Sequence, residues 1–349
     1  MDTRGPSPRH VLIAVMLALA LLVDVRVVPA QTANRSPAGS PPPQSALPEW
    51  PAPPAAARIR FLRSLDPATT RGKPSFLSRA WRALVGGRDE PGMLQPYGIA
   101  VDPAGRVLVA DTFGHAIHVL DPRKPKYSAI KVDGGSLIGV ALAGDRIFVT
   151  DSASGRLMCL DEGGHTRWTL GPGNGLERPT GLAVAGDRLY VADTLGNRIV
   201  MVNFAGKVLG SFGRRGGGPG EFNFPTNIAR GPDGRLLVTD TMNFRVQAFD
   251  ADGQFLAAFG KLGDGSGDFD KPKGVAVDSD GHVYVVEGVS DVVQVFDGTG
   301  KFLLAFGGSG SGAGQLWLPS GIAIVNGLIY VADSANRRVQ VFQYLGAGQ

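Results

Sequence analysis

Between Pro225 and Gly260 the chain alternates four short apolar runs with three turn-forming clusters. The runs are Asn227–Ala229, Leu236–Thr239, Val246–Phe249 and Phe255–Phe259, and the clusters are Gly-Pro-Asp-Gly, Thr-Met-Asn-Phe and Asp-Ala-Asp-Gly. Period-2 runs bounded by such clusters read as four strands joined by hairpins. The same pattern recurs along most of the sequence. Its second run always closes on an acid: LVAD at Asp111, FVTD at Asp151, YVAD at Asp193, LVTD at Asp240, YVVE at Glu287 and YVAD at Asp333. Successive acids lie 40, 42, 47, 47 and 46 residues apart, the length of one four-stranded propeller blade and too long for a leucine-rich repeat.

Each copy opens on a relative of Pro-x-Gly-Ile-Ala-Val: PYGIAV at 96, LIGVAL at 137, PTGLAV at 179, PTNIAR at 225, PKGVAV at 272 and PSGIAI at 319. Three copies end in Phe-Gly, at Phe212, Phe259 and Phe306. With these strands the units resemble NHL repeats over about residues 96–345, and the resemblance implies an all-β, six-bladed β-propeller. Propellers host unrelated activities, so this points to a fold and leaves the function open.

The last copy supplies only three strands before the chain ends. Residues 58–65, with Ile59, Phe61 and, after a slip, Leu62 and Leu65, are expected to supply the fourth and close the ring by pairing with the last blade. The propeller thus spans 58–345. Ahead of it, residues 1–30 read as a secretory signal: Arg4 and Arg9, the apolar run Val11–Val23, and Val28-Pro29-Ala30 as a cleavage site. The run falls short of the roughly 20 residues needed to span a bilayer. Residues 31–57 carry eight prolines and read as a solvated linker. Between strand and first repeat, Phe76, Leu77, Ala80, Trp81 and Leu84 form a helical stripe with Ser75 as cap and Gly86 as stop, an insertion at about 74–86.

Composition adds little to the fold: 50 glycines and 25 prolines suit a turn-rich all-β chain, and a single cysteine, Cys159, allows no internal disulfide. Charge is local. The net charge is +4 overall, while residues 58–88 hold seven arginines and Lys73 against Asp66 alone, a patch able to meet an anionic surface.

The recurring acid ends a strand one removed from the axis and precedes a turn, so its expected work is to accept backbone N–H groups. Metal in the axial channel would need acids or imidazoles at the inner-strand starts, where Tyr97, Thr180, Asn227, Lys273 and Ser320 stand. His115 and His118 alone do not make a zinc site. The amidating lyase that shares the NHL fold implies a metal held by histidines from several blades, and here the matching loops offer only His115. Gly308-Ser-Gly-Ser-Gly312 sits in a glycine-rich turn and lacks the strand-to-helix elbow of a hydrolase. The other glycine-rich connections lack the helix and Lys-Ser/Thr of a phosphate loop.

Residues that vary from blade to blade while the scaffold repeats are the candidates for ligand binding: Tyr97, His115, Thr180, Arg215, Asn227, Phe244, Trp317 and Arg337. The expectation is a non-catalytic protein without metal or cofactor, secreted or periplasmic, that presents a propeller face to a protein or peptide partner, binds no nucleic acid and touches membrane at most peripherally. A propeller enzyme of lyase or lactonase class, and an RNA-binding NHL domain, are the alternatives.

Overall fold

The computed structural model describes residues 47–67, 92–121, 123 and 126–346. The leader (1–30), the linker up to residue 46 and the expected helix at 74–86 lie outside the described residues.

Six antiparallel sheets form the ring. In blade 1 the strands, from the axis outward, are Pro96–Val101, Val107–Asp111, Ala116–Asp121 and Lys126–Lys131. Blades 2 to 5 begin on Leu137–Ala143, Pro179–Ala185, Pro225–Arg230 and Pro272–Val277 and repeat the order. Blade 6 has inner strands Pro319–Val325, Leu328–Asp333 and Arg338–Tyr344. Its fourth strand is Ile59–Leu65, paired antiparallel to Arg338–Tyr344. The N-terminal strand therefore closes the ring as expected. The slip in its apolar pattern is a bulge: Phe61 pairs with Phe342, and the next pair is Arg63 with Val341.

The reading of 31–57 as a wholly solvated linker is corrected at its end. Glu49–Trp50 adds a fifth strand to blade 6, pairing with Arg60 and Ile59. Trp50 lies 6.0 Å from Phe306 and 5.8 Å from Phe342 between ring centroids. One indole on two buried aromatics offsets the ordering cost that the prolines on either side already reduce.

Six apolar clusters build the interior, each shared by two neighbouring blades. That between blades 5 and 6 joins Tyr284, Val286, Val295 and Phe306 to Ile59, Phe61, Ile329 and Phe342. Strand alternation explains this: each blade presents one row of side chains to the preceding blade and the other to the next. At the axis the blades approach so closely that Cβ atoms added to Gly98, Gly139, Gly181, Gly274 and Gly321 would fall under 3.0 Å from backbone of the next blade. This is why Pro-x-Gly recurs. The inner strands start, and the acids sit, at one end of the ring, called here the top face.

Candidate functional site

The acids anchor the top face. Asp111 accepts the amides of Leu94 (2.6 Å), Gln95 (2.9 Å) and Gly114 (2.9 Å), and Asp151 those of Gly135 and Ser136. Each thus ties its own turn or the incoming loop to the strand end, as the sequence implies. Four are also paired with the arginine opposite them: Arg156 with Asp151, Arg198 with Asp193, Arg245 with Asp240 and Arg338 with Asp333. In blade 1 the partner is buried His118, 2.9 Å from Asp111, with Tyr127 on its other nitrogen. Only an N–H on Nε2 makes that contact a hydrogen bond, since a carboxylate only accepts. Burial pushes the Asp111 carboxyl up, but His118 and the amides outweigh it and hold the pKa at about 2.

A second set of bonds stitches blade to blade. The Ser or Thr after each acid donates to the first inner-strand carbonyl of the next blade: Thr112 to Leu137 (3.0 Å), Ser152 to Pro179 (2.5 Å), Thr194 to Pro225 (2.7 Å), Thr241 to Pro272 (2.8 Å) and Ser334 to Pro96 (2.7 Å). Blade 5 departs from this at every position. Glu287 replaces Asp, Val292 stands opposite it in place of Arg, and Gly288 removes the hydroxyl. The side chain of Lys273 fills the space over Gly288, and its ammonium donates to Pro319 O at 3.4 Å.

Electrostatics follow. Burial first, then the charge of Lys271, pulls the Lys273 pKa below that of an ordinary lysine, against the opposing pull of Asp291 and Glu287. Burial raises that of Glu287 above the usual carboxylate range, although the amides of Asp270 and Lys271 donate to it.

The candidates read from sequence separate into three groups. Thr180 is buried and is a clasp residue, bonded to Thr194 Oγ1 (2.8 Å) and Thr226 O (2.9 Å), so it is withdrawn from the ligand set. His115, Phe244 and Arg337 share one structural position, the left-handed residue of the second turn, with φ of 48°, 55° and 57°. Asn197 and Asp291 hold it in blades 3 and 5 and Gly155 in blade 2. Their variety reflects a backbone requirement as well as surface chemistry. Tyr97 and Asn227 line the axial channel, a cavity of about 200 Å³ walled mostly by Gly, Ile, Val and Ala. Burial raises the Tyr97 phenol above its ordinary pKa, with Arg178 opposing, so it stays a hydrogen-bond donor. Asn227 turns its carbonyl back to Ile228 N (2.7 Å). Arg215 and Trp317 are exposed on the loops that enter blades 4 and 6.

Two features went unseen. Lys273 is absent from the ligand-binding candidates, although its signal is plain in the sequence: Pro-Lys-Gly, Glu-Gly and Val292 break the repeat together. The other is an apolar ring: Phe113, Leu195, Met242 and Val289, each two residues past an acid, stand with Trp317 between 45% and 65% exposed.

Among the described residues no three His, Cys, Asp or Glu side chains gather as a metal site, and the inner-strand starts, Tyr97, Ile138, Thr180, Thr226, Lys273 and Ser320, do not fit a divalent cation.

Fold and site define a six-bladed β-propeller whose blades share one backbone plan and differ in top-face chemistry. The NHL repeat model matches residues 222–249 and 316–342, which hold inner strands of the fourth and sixth blades, and supports a six-bladed propeller of NHL type. A model described as outer membrane protein assembly factor BamB matches residues 78–216. A comparison with curated protein sequences found no match. Among solved structures, virginiamycin B lyase from Staphylococcus aureus is 17% identical, covering 72% of this chain and 96% of its own, with a TM-score of 0.55. A gluconolactonase from Xanthomonas campestris is 17% identical over 72% of this chain and 86% of its own, TM-score 0.57. Regucalcin from Agrobacterium tumefaciens, a calcium-binding protein, is 17% identical over 73% and 92%, TM-score 0.56. These likenesses concern the fold. They nevertheless correct the expectation of a non-enzyme: the propellers that share this architecture include lyases and gluconolactonases, so the fold does not set the chain apart from catalysts. The physical reason is that one propeller scaffold carries binders and catalysts alike, so the lack of a metal-ligand set at the inner-strand starts does not exclude catalysis.

Proposed function

We propose that this chain is a propeller enzyme of the lyase or lactonase class, acting on a cyclic ester at its top face with Lys273 as proton acceptor. The observation that carries the reading is the departure of blade 5, where a lysine of lowered pKa replaces a structural hydroxyl. A lysine whose pKa is lowered gives up its proton more readily than an ordinary one and is the better placed to act as a general base. In a ring-opening elimination, open to a cyclic ester whose ring oxygen sits on the carbon beta to a carbonyl, the amine takes the proton next to that carbonyl, the C–H pair becomes the new C=C bond, and the C–O bond breaks to release a carboxylate. In lactone hydrolysis the amine takes a proton from water as the water oxygen bonds to the acyl carbon, and the acyl C–O bond then breaks with its pair going to the ring oxygen, which takes that proton and leaves as a hydroxyl. Tyr97, kept protonated, donates a hydrogen bond at the channel mouth.

The test is incubation of the purified protein with quinupristin and with gluconolactone, with products followed by mass spectrometry. The expected result is opening of one of them by the parent and at least a hundredfold slower opening by Lys273→Thr/Gly288→Ser, which restores the clasp chemistry of blade 3. Equal rates for parent and variant, or opening of both compounds no faster than in protein-free buffer, overturn the reading.

The apolar ring favours a second reading, a docking face for a protein partner, in keeping with the match to an assembly factor. A photo-crosslinking residue at Phe113 or Trp317 should then give a discrete protein adduct that the same residue at Leu209, exposed on an outer strand, does not. Equal adducts at all three positions count against a docking face.

A further inference from the structure

Blade 5 is the junction where an amine stands in for a hydroxyl, and its geometry reaches further than proton transfer. Gly288 leaves a gap that the Lys273 side chain crosses, and the ammonium, with three donors, makes a single long bond of 3.4 Å to Pro319 O among the described residues. Val292 stands opposite Glu287 where four other blades place an arginine, so among the described residues no guanidinium pairs with this acid. The charged groups that face it are Lys271, Glu287 and Asp291. Of these, Asp291 is engaged with Leu318 N and Ser309 Oγ, both at 2.7 Å, and Glu287 with the amides of Asp270 and Lys271. Neither forms an ion pair with the lysine. Lys273 is only part-buried, and Val289 and Lys271 beside it are exposed. A weakly held amine that is partly desolvated yet still accessible is the arrangement that favours attack on a carbonyl carbon.

We infer that Lys273, set over Gly288 on the top face, is a covalent capture site for a small aldehyde or 2-oxo acid, held as an imine. The neutral amine bonds to the carbonyl carbon while the C=O pair moves to oxygen, which takes the nitrogen's proton. With one further proton from solvent that oxygen leaves as water, and the nitrogen lone pair closes the iminium. No oxidant or reductant takes part. This goes beyond the proposed elimination, and its readout does not require turnover.

The experiment treats the full chain near pH 7 with limiting glyoxylate, or separately propionaldehyde, and cyanoborohydride, which reduces the iminium to a stable secondary amine. Peptide mapping then compares Lys273 with the exposed Lys261, Lys271 and Lys301. The expected result is modification of Lys273 at least tenfold faster than of the other three. Preference for glyoxylate assigns the site to 2-oxo acids, and equal preference to carbonyl compounds in general. Modification of Lys273 no faster than of Lys261 or Lys301 overturns the inference, even if the protein opens a lactone. Selective modification sustains it, even if no lactone is opened. Lys273→Thr/Gly288→Ser controls for the fold, because it retains a blade-to-blade hydroxyl and should leave labelling of the three surface lysines unchanged.

Discussion

The side chain of Lys273 lies where any side chain on Gly288 would have to go. The two residues are therefore one substitution in two places: the glycine removes the hydroxyl that closes the other five junctions, and the lysine takes over its carbonyl. Lys273 has a lowered pKa in the fold, so the unfolded chain binds that proton more tightly. Stability is then reduced where the lysine is charged in the fold, and rises with pH from the folded pKa toward the unfolded value of 10.5. Lys273→Thr/Gly288→Ser is expected to raise Tm at neutral pH and to abolish this alkaline rise, as checked by calorimetry between pH 7 and 10.

Asp111 and Glu287 hold equivalent positions with opposite titration. The folded pKa of Asp111, about 2, lies below its ordinary 3.8. Its contribution, about 2 kcal/mol at 1.36 kcal/mol per pKa unit, is present above about pH 4 and is lost as pH falls through about 2. Asp111→Asn should cost about that much at pH 7 in urea unfolding, and the penalty should shrink toward pH 2. The folded pKa of Glu287 is raised, so its ionised form burdens the fold once pH has risen through that value. Glu287→Gln should be neutral or stabilising at pH 7.

Ring closure depends on the first strands. Trp50→Ala removes a half-buried indole from Phe306 and Phe342 and should cost about 2 kcal/mol, below the range for a fully buried tryptophan. Deleting residues up to 65 should cost several times more, because it also removes the core residues Ile59 and Phe61 and exposes the edge of Arg338–Tyr344. Denaturant midpoints of the two variants test the order; equal losses would mean that the closing strand adds nothing beyond Trp50.

The clasp makes a prediction of its own. Ser334→Ala leaves the Pro96 carbonyl short of a donor at a buried junction and should cost about 1 to 2 kcal/mol. Ser334→Thr, which restores the hydroxyl found at Thr112, Thr194 and Thr241, should recover most of it.

Most of the fold was legible in the sequence because it depends on repetition: six acids, six inner-strand starts and the apolar Ile59–Leu65 run each mark an element by period. Trp50 was not legible, since prolines at 48, 51, 53 and 54 mask a two-residue strand whose only signal is a single aromatic. The top-face site was legible in part. His115, Phe244 and Arg337 were recognised as variable, but that they share a left-handed turn position emerges only from φ. Thr180 looked like a rim residue until its hydroxyl was found between blades. Lys273 escaped because a residue with no role as a metal ligand was not compared with the hydroxyl positions it replaces.

The central claim is that the Lys273 amine is unlike the other lysines of this chain. The direct measurement is its titration, followed by NMR of protein carrying carbon-13 at the lysine side chains, with the resonance assigned through its loss in Lys273→Thr/Gly288→Ser. The account predicts one lysine signal that titrates below the others and disappears in the variant. If the lysine signal lost in the variant does not titrate below the ordinary lysine value of 10.5, blade 5 as the reactive site is contradicted.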